Sequence, residues 1–144
     1  MTAFPRARPP HDFTLVTTWT LNGYDDLARL RAGVTAMTAP ATVPVGAPRA
    51  RGHVSDLVLV SSELATNALK YAGAPTTVSL LSNATSYLLD VADPDPVTVP
   101  ALAHGRAPEA GGLGLRLAAR LASSIGWFAT GRTKHVWVTF TIDA

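Results

Sequence analysis

Three polar residues on one predicted helix, Glu63, Asn67 and Lys70, are the part of this chain best suited to chemistry. At about 100° per residue they fall within about 60° of one another, so a carboxylate, an amide and an ammonium share one flank. Such a position lets their polar tips face a cleft while the next row packs into the core. Polar residues on a helix flank are more commonly a solvated face, so the spacing alone leaves both readings open. A second segment, Gly111-Gly112-Leu113-Gly114-Leu115, opens another predicted helix. Glycines let backbone approach an anion, and a helix N-terminus presents unpaired N–H groups to it. In isolation the same glycines read equally well as a hinge. Other motifs fail. A P-loop would need Gly-Lys-Ser/Thr, and the dinucleotide fingerprint breaks at Leu117. His11, His53, His104 and His135 have no metal-ligand spacing. Ser55, Ser61 and Ser62 lie on a predicted helix without a nucleophile elbow.

The elements that must position these residues follow from periodicity and punctuation. Residues 1–12, with Pro5, Pro9 and Pro10, read as a flexible tail, and residues 13–144 as one domain. Phe13 to Leu21 reads as a strand, and Tyr24 to Met37 as a helix carrying Leu27, Leu30, Val34 and Met37. A proline-containing connection from Pro40 to Pro48 leads to the clearest helix, Arg51 to Ala72. Its apolar stripe is Leu57, Val60, Leu64, Ala68 and Tyr71, and Gly73-Ala74-Pro75 should end it. Strands are expected at 76–81 and 87–92, joined by a turn through Asn83. A long, mobile loop should follow from Asp93 to Gly112. A helix at 113–123 carrying Leu113, Leu117 and Leu121, then strands at 125–130 and 135–142, complete the chain. Hairpins with helices grouped between them predict an α+β two-layer sandwich. Its sheet should be mixed but mostly antiparallel, with the helices packed on one face.

Bulk properties narrow the function. A length of 144 residues suits a single domain with a substantial core. The formal charge of +2 comes from scattered Lys and Arg, so direct nucleic-acid binding is not expected. Without cysteine there is neither disulfide nor thiolate chemistry. No apolar run approaches the roughly 20 residues of a membrane span, and the N-terminus lacks a signal-peptide core. A cytoplasmic location is expected.

In their order and spacing, the Glu63-Leu-Ala-Thr-Asn67-Ala-Leu-Lys70-Tyr71 helix and the Gly111–Leu115 segment resemble two nucleotide-binding motifs. These are the N-box and second glycine box of the ATP-binding superfamily shared by gyrase, Hsp90, histidine kinases and MutL (GHKL). The short chain resembles that superfamily's anti-sigma-factor serine/threonine kinase branch, over about residues 13–142. The resemblance implies a Bergerat-type fold binding ATP and Mg²⁺. Asn67 would complete the Mg²⁺ shell and Glu63 would be the catalytic base. Lys70, Gly112, Leu113, Gly114 and Leu115 would contact the nucleotide, with a lid over about Val97–Gly111 that includes Arg106. Asp93, after Leu88-Leu89-Asp90-Val91-Ala92, matches the aspartate that accepts the adenine amino group. His135 stands in place of the threonine that supports it, and Tyr71 where the branch frequently has His. Pro94-Asp95-Pro96 replaces the usual glycines after the aspartate. The implied partners are a sigma factor and an antagonist protein whose serine is phosphorylated, with a homodimer as the assembly. The competing reading is a non-catalytic protein-binding module with a weak or vestigial nucleotide site. The prolines and His135 favour that reading, while the complete Glu63, Asn67 and Lys70 set opposes it.

Overall fold

A computed structural model describes residues 5–38, 48–98, 100 and 112–141, with 48–53 and 112–114 described as backbone. Five strands and three α-helices follow one another in the expected order. They are β1 (Thr14–Leu21), α1 (Leu27–Thr38, after a 3-10 turn at Tyr24–Asp26), α2 (Pro48–Tyr71), β2 (Thr76–Ser82), β3 (Ser86–Asp93), α3 (Gly112–Leu121), β4 (Ser124–Ala129) and β5 (Lys134–Thr141). The strands form one open sheet in the order β1-β2-β3-β5-β4, every neighbouring pair antiparallel. The expected connection over 40–47, and the loop residues 99 and 101–111, lie outside the described residues.

The two-residue period of the strands sorts side chains onto two faces. Val78, Val91, Val136 and Trp127 stand in one cross-strand row, and Leu80, Leu89, Val138 and Ile125 in the next. Both rows belong to a single core shared with Leu30 and Val34 of α1, Leu57, Val60 and Leu64 of α2, and Leu115 and Ala118 of α3. All three helices therefore cover the same face of the sheet, giving two layers. The α2 stripe is buried from Leu57 to Ala68, as its spacing predicts. Tyr71 departs from it: expected in the core, it is 47 % exposed. It is the last residue of α2, one turn past Ala68, at the mouth of the cleft described below. Gly73 ends the helix with φ of +91° and donates its N–H to the Ala68 carbonyl, a conformation suited to glycine. The β2–β3 turn is closed by Asn83, whose side-chain oxygen accepts the Thr85 and Ser86 N–H groups.

The opposite face of the sheet carries Leu88, Asp90, Gly126, Phe128, His135 and Trp137 and packs no helix among the described residues. Part of it is covered by residues expected to be a flexible tail. Trp127 N–H donates to the Pro5 carbonyl, Ala7 N–H donates to the Trp127 carbonyl, and Trp137 Nε1 donates to the Ala7 carbonyl at 2.8 Å. Arg6 lies over the Trp127 ring and Arg8 over Phe128, at 5.0 and 4.6 Å from the centroids. Residues 5–8 thus extend the sheet along the β4 edge. The backbone groups of β4 that β5 leaves unpaired supply the physical reason. Trp137 is 4 % exposed beneath this segment and lies flat against Gly126, where a Cβ would overlap its ring.

Candidate functional site

At one end of the sheet the core rows give way to a polar one. Asp93 pairs with Lys134, and Lys134 with Ala129, on the helix-facing side. Asp93 and Lys134 form the floor of a cleft of about 50 Å³. Leu64, Asn67, Ala68, Tyr71 and Ala72 of α2 wall one side, with Leu115 of α3, Pro100, Val91 and Val136 around the rest. Antiparallel pairing places the end of β3 beside the start of β5, and the α2 stripe crosses above them. Residues far apart in sequence are brought together by these two facts.

Asn67 faces this cleft, and its Oδ1 atom is fully buried with no hydrogen-bond donor among the described residues. Buried acceptors are nearly always paired, and an unpaired one costs about 1–3 kcal/mol. On the floor, the Asp93 side chain is 4 % exposed. One of its oxygens, Oδ1, accepts the Asp95 N–H at 2.9 Å, and the other lies 3.5 Å from Lys134 Nζ. Lys134 Nζ also donates to the Thr98 carbonyl at 3.0 Å. Burial raises the Asp93 carboxyl above its ordinary value, against the opposing pull of the Asp95 N–H and the Lys134 charge. Asp95 shows the reverse behaviour. Hydrogen bonds from the Thr98 side chain and from the Thr98 and Val97 amides hold its carboxyl down at about 2.

The residues expected to act together are only partly assembled here. Asn67, Asp93 and Leu115 line the cleft. Glu63 is half-buried one turn before Asn67 on α2, and outside the lining. Lys70 is exposed, its ammonium 5.4 Å from the Tyr71 ring centroid. Helix α3 begins at Gly112, so Gly112 and Gly114 sit in its first turn with Leu113, while Gly111 and Arg106 lie outside the described residues.

His135 is not brought to the cleft. It pairs with Ala92, one position from the Asp93–Lys134 pair, and the two-residue period turns its ring to the opposite face. There it stacks on Phe128 with ring centroids 4.5 Å apart. Its Nδ1 lies 2.9 Å from Asp90 Oδ1, and its Nε2 lies 2.9 Å from Thr133 Oγ1. The expected support of Asp93 by His135 is therefore replaced by Lys134. Counting back by twos from the apolar run Phe140, Val138, Val136 would have put Lys134 on the cleft side.

Among the described residues no group of three or more His, Cys, Asp or Glu side chains could hold a metal on its own. A cation here would be shared between the Asn67 oxygen and ligand oxygens, the arrangement Mg²⁺ adopts on nucleotide phosphates. No helix of the described residues is long and apolar enough to cross a membrane. Comparison with protein-family models and with curated proteins gives no match to this chain.

Proposed function

We propose that this chain is an ATP- and Mg²⁺-dependent serine/threonine kinase of the anti-sigma-factor type, with its nucleotide site in the Asn67–Asp93 cleft of a Bergerat-type fold. The observation that carries this reading is Asn67 Oδ1, a buried oxygen in the cleft wall with no donor among the described residues. A structural asparagine in such a place would be paired. When bound, ATP with Mg²⁺ supplies the phosphoryl group and neutralises much of the charge of its transfer. The chain's own residues position and deprotonate. Asn67 would hold the cation, Asp93 would accept from the base, and the first turn of α3 would face the phosphates with free N–H groups. Glu63, about 6 Å along the axis from Asn67, would take the proton of an incoming serine hydroxyl. On this reading the partners are a sigma factor and a phosphorylated antagonist, the assembly is a homodimer, and the location is the cytoplasm.

A second reading is supported by a different observation. The Asp93–Lys134 ion pair and a cleft of about 50 Å³ leave less room than the roughly 300–1,000 Å³ common for ligand pockets. That favours a non-catalytic module which binds a regulator through protein contacts. Calorimetric titration with ATP, with and without Mg²⁺, separates the two. The kinase reading expects binding that Mg²⁺ strengthens, a dependence lost in Asn67→Ala, and phosphoryl transfer abolished in Glu63→Ala with binding kept. Absence of binding at millimolar ATP refutes it in favour of the module.

A further inference from the structure

The cleft contains a cation for which the proposed nucleotide chemistry has no use. Lys134 is 8 % exposed, and its ammonium is fixed between the Thr98 carbonyl at 3.0 Å and Asp93 Oδ2 at 3.5 Å. Both carboxylate oxygens of Asp93 are thereby engaged from within the chain, Oδ1 by the Asp95 N–H and Oδ2 by Lys134. Asp95 in turn accepts the N–H groups of Val97 and Thr98 at 3.0 and 3.1 Å, closing residues 93–98 into one compact turn. Lys134 fastens that turn to the sheet. Each oxygen keeps a second lone pair, so an amino group arriving at Asp93 must share the carboxylate, and the space beside it, with a buried ammonium 3.5 Å away. Widening the cleft for a base also means releasing Thr98.

We propose that Lys134 sets the nucleotide affinity of this cleft, acting as a built-in competitor for Asp93 and as the clasp that holds the Pro94–Thr98 turn against the sheet. The inference rests on the nucleotide-site reading above. It makes the wild-type chain a weak binder whose site opens when Lys134 is displaced. It also gives one physical origin to the two observations that favour the non-catalytic module, the occupied aspartate and the small cavity.

The test compares the whole chain as wild type, Lys134→Thr, Lys134→Gln and Lys134→Arg. Thermal melts establish folding, and ATP with Mg²⁺ is titrated calorimetrically. Gln is one atom shorter than Lys but keeps a neutral donor for Thr98, so it serves if the Thr variant is too unstable. The expected result is ATP binding at least about tenfold tighter in the Thr or Gln variant, equivalent to about 1.4 kcal/mol. Faster amide exchange at Val97 and Thr98 should accompany it, with Lys134→Arg remaining close to wild type. Equal or weaker binding in the neutral variants than in a wild type that does bind overturns the role of Lys134 and leaves the nucleotide site standing. No binding by the wild type or any variant overturns both.

Discussion

Truncating Asn67 to alanine should make the unliganded protein more stable, because it deletes a buried acceptor that has no donor among the described residues. The oxygen is fully buried, and an unpaired buried acceptor costs about 1–3 kcal/mol. Against this, the half-buried side chain borders a cleft open to solvent, so its loss leaves little enclosed void. Helix propensity adds a separate gain of up to about 0.7 kcal/mol for replacing Asn by Ala inside α2. The expected net change is therefore a stabilisation of about 1–2 kcal/mol, read as a higher urea midpoint at unchanged slope. For a chain of this size it corresponds to a rise of about 2–4 °C in Tm per kcal/mol. With ATP and Mg²⁺ at about 100 times the wild-type Kd the order should reverse. Wild type would then gain about 2.7 kcal/mol from binding and the variant would gain much less. A stabilisation no larger than the propensity gain, or a loss of stability, would show that the oxygen is already satisfied. The case for Asn67 as a waiting metal ligand would fall with it.

Asp93 gives a pH dependence whose sign is set by its raised carboxyl. Above its folded-state value both states are ionised and the burial cost is fully present. As pH falls through that value toward 3.8, the folded protein takes the proton first and the cost is relieved. Wild type should therefore gain stability relative to Asp93→Asn as pH falls through that window, and urea midpoints that keep a constant difference would refute it. Gly126→Ala places a methyl into the Trp137 ring, and overpacking of this kind costs about 1–3 kcal/mol. Its signature is a changed indole fluorescence together with faster exchange at the Ala7 amide, because the displaced Trp137 releases the segment bonded to it. His135→Ala should lower stability by about 1–2 kcal/mol through the lost stack and hydrogen bonds. ATP affinity should not change, since the ring faces away from the cleft; a large loss of affinity would restore His135 to the site.

Element order and type were legible because each segment carried its own period. The 3.6-residue stripe of α2 and the two-residue alternation of β2, β3 and β5 both face the observed core. Tyr71 shows where that logic stops. Angular position on a helix does not reveal where along its length the neighbouring layer ends. His135 shows a one-residue slip. Aligning a short motif placed it beside Asp93 in sequence, while pleating sends adjacent residues to opposite faces. That Asn67 and Asp93 share a cleft could be expected only through the resemblance, since their proximity arises from sheet order, which local pattern does not encode. The docking of residues 5–8 was illegible for a related reason. Prolines and arginines read as a tail until a partner more than a hundred residues away, Trp127, supplies the edge.

The two ends of that N-terminal segment touch opposite margins of the sheet. Arg6 bridges to β4, whereas Thr14 begins β1, the strand at the far edge. Five inter-strand steps of about 4.8 Å separate those margins, about 24 Å, and the eight residue steps from Arg6 to Thr14 reach at most about 29 Å. The connection is nearly taut. During synthesis, residues 5–8 leave the ribosome more than a hundred residues before the strands they dock on. Until β4 and β5 emerge, Trp127 and Trp137 do not exist to receive them. Closure of this strap therefore reports that translation has passed the β4–β5 hairpin, and a chain truncated before β4 would leave it with no seat.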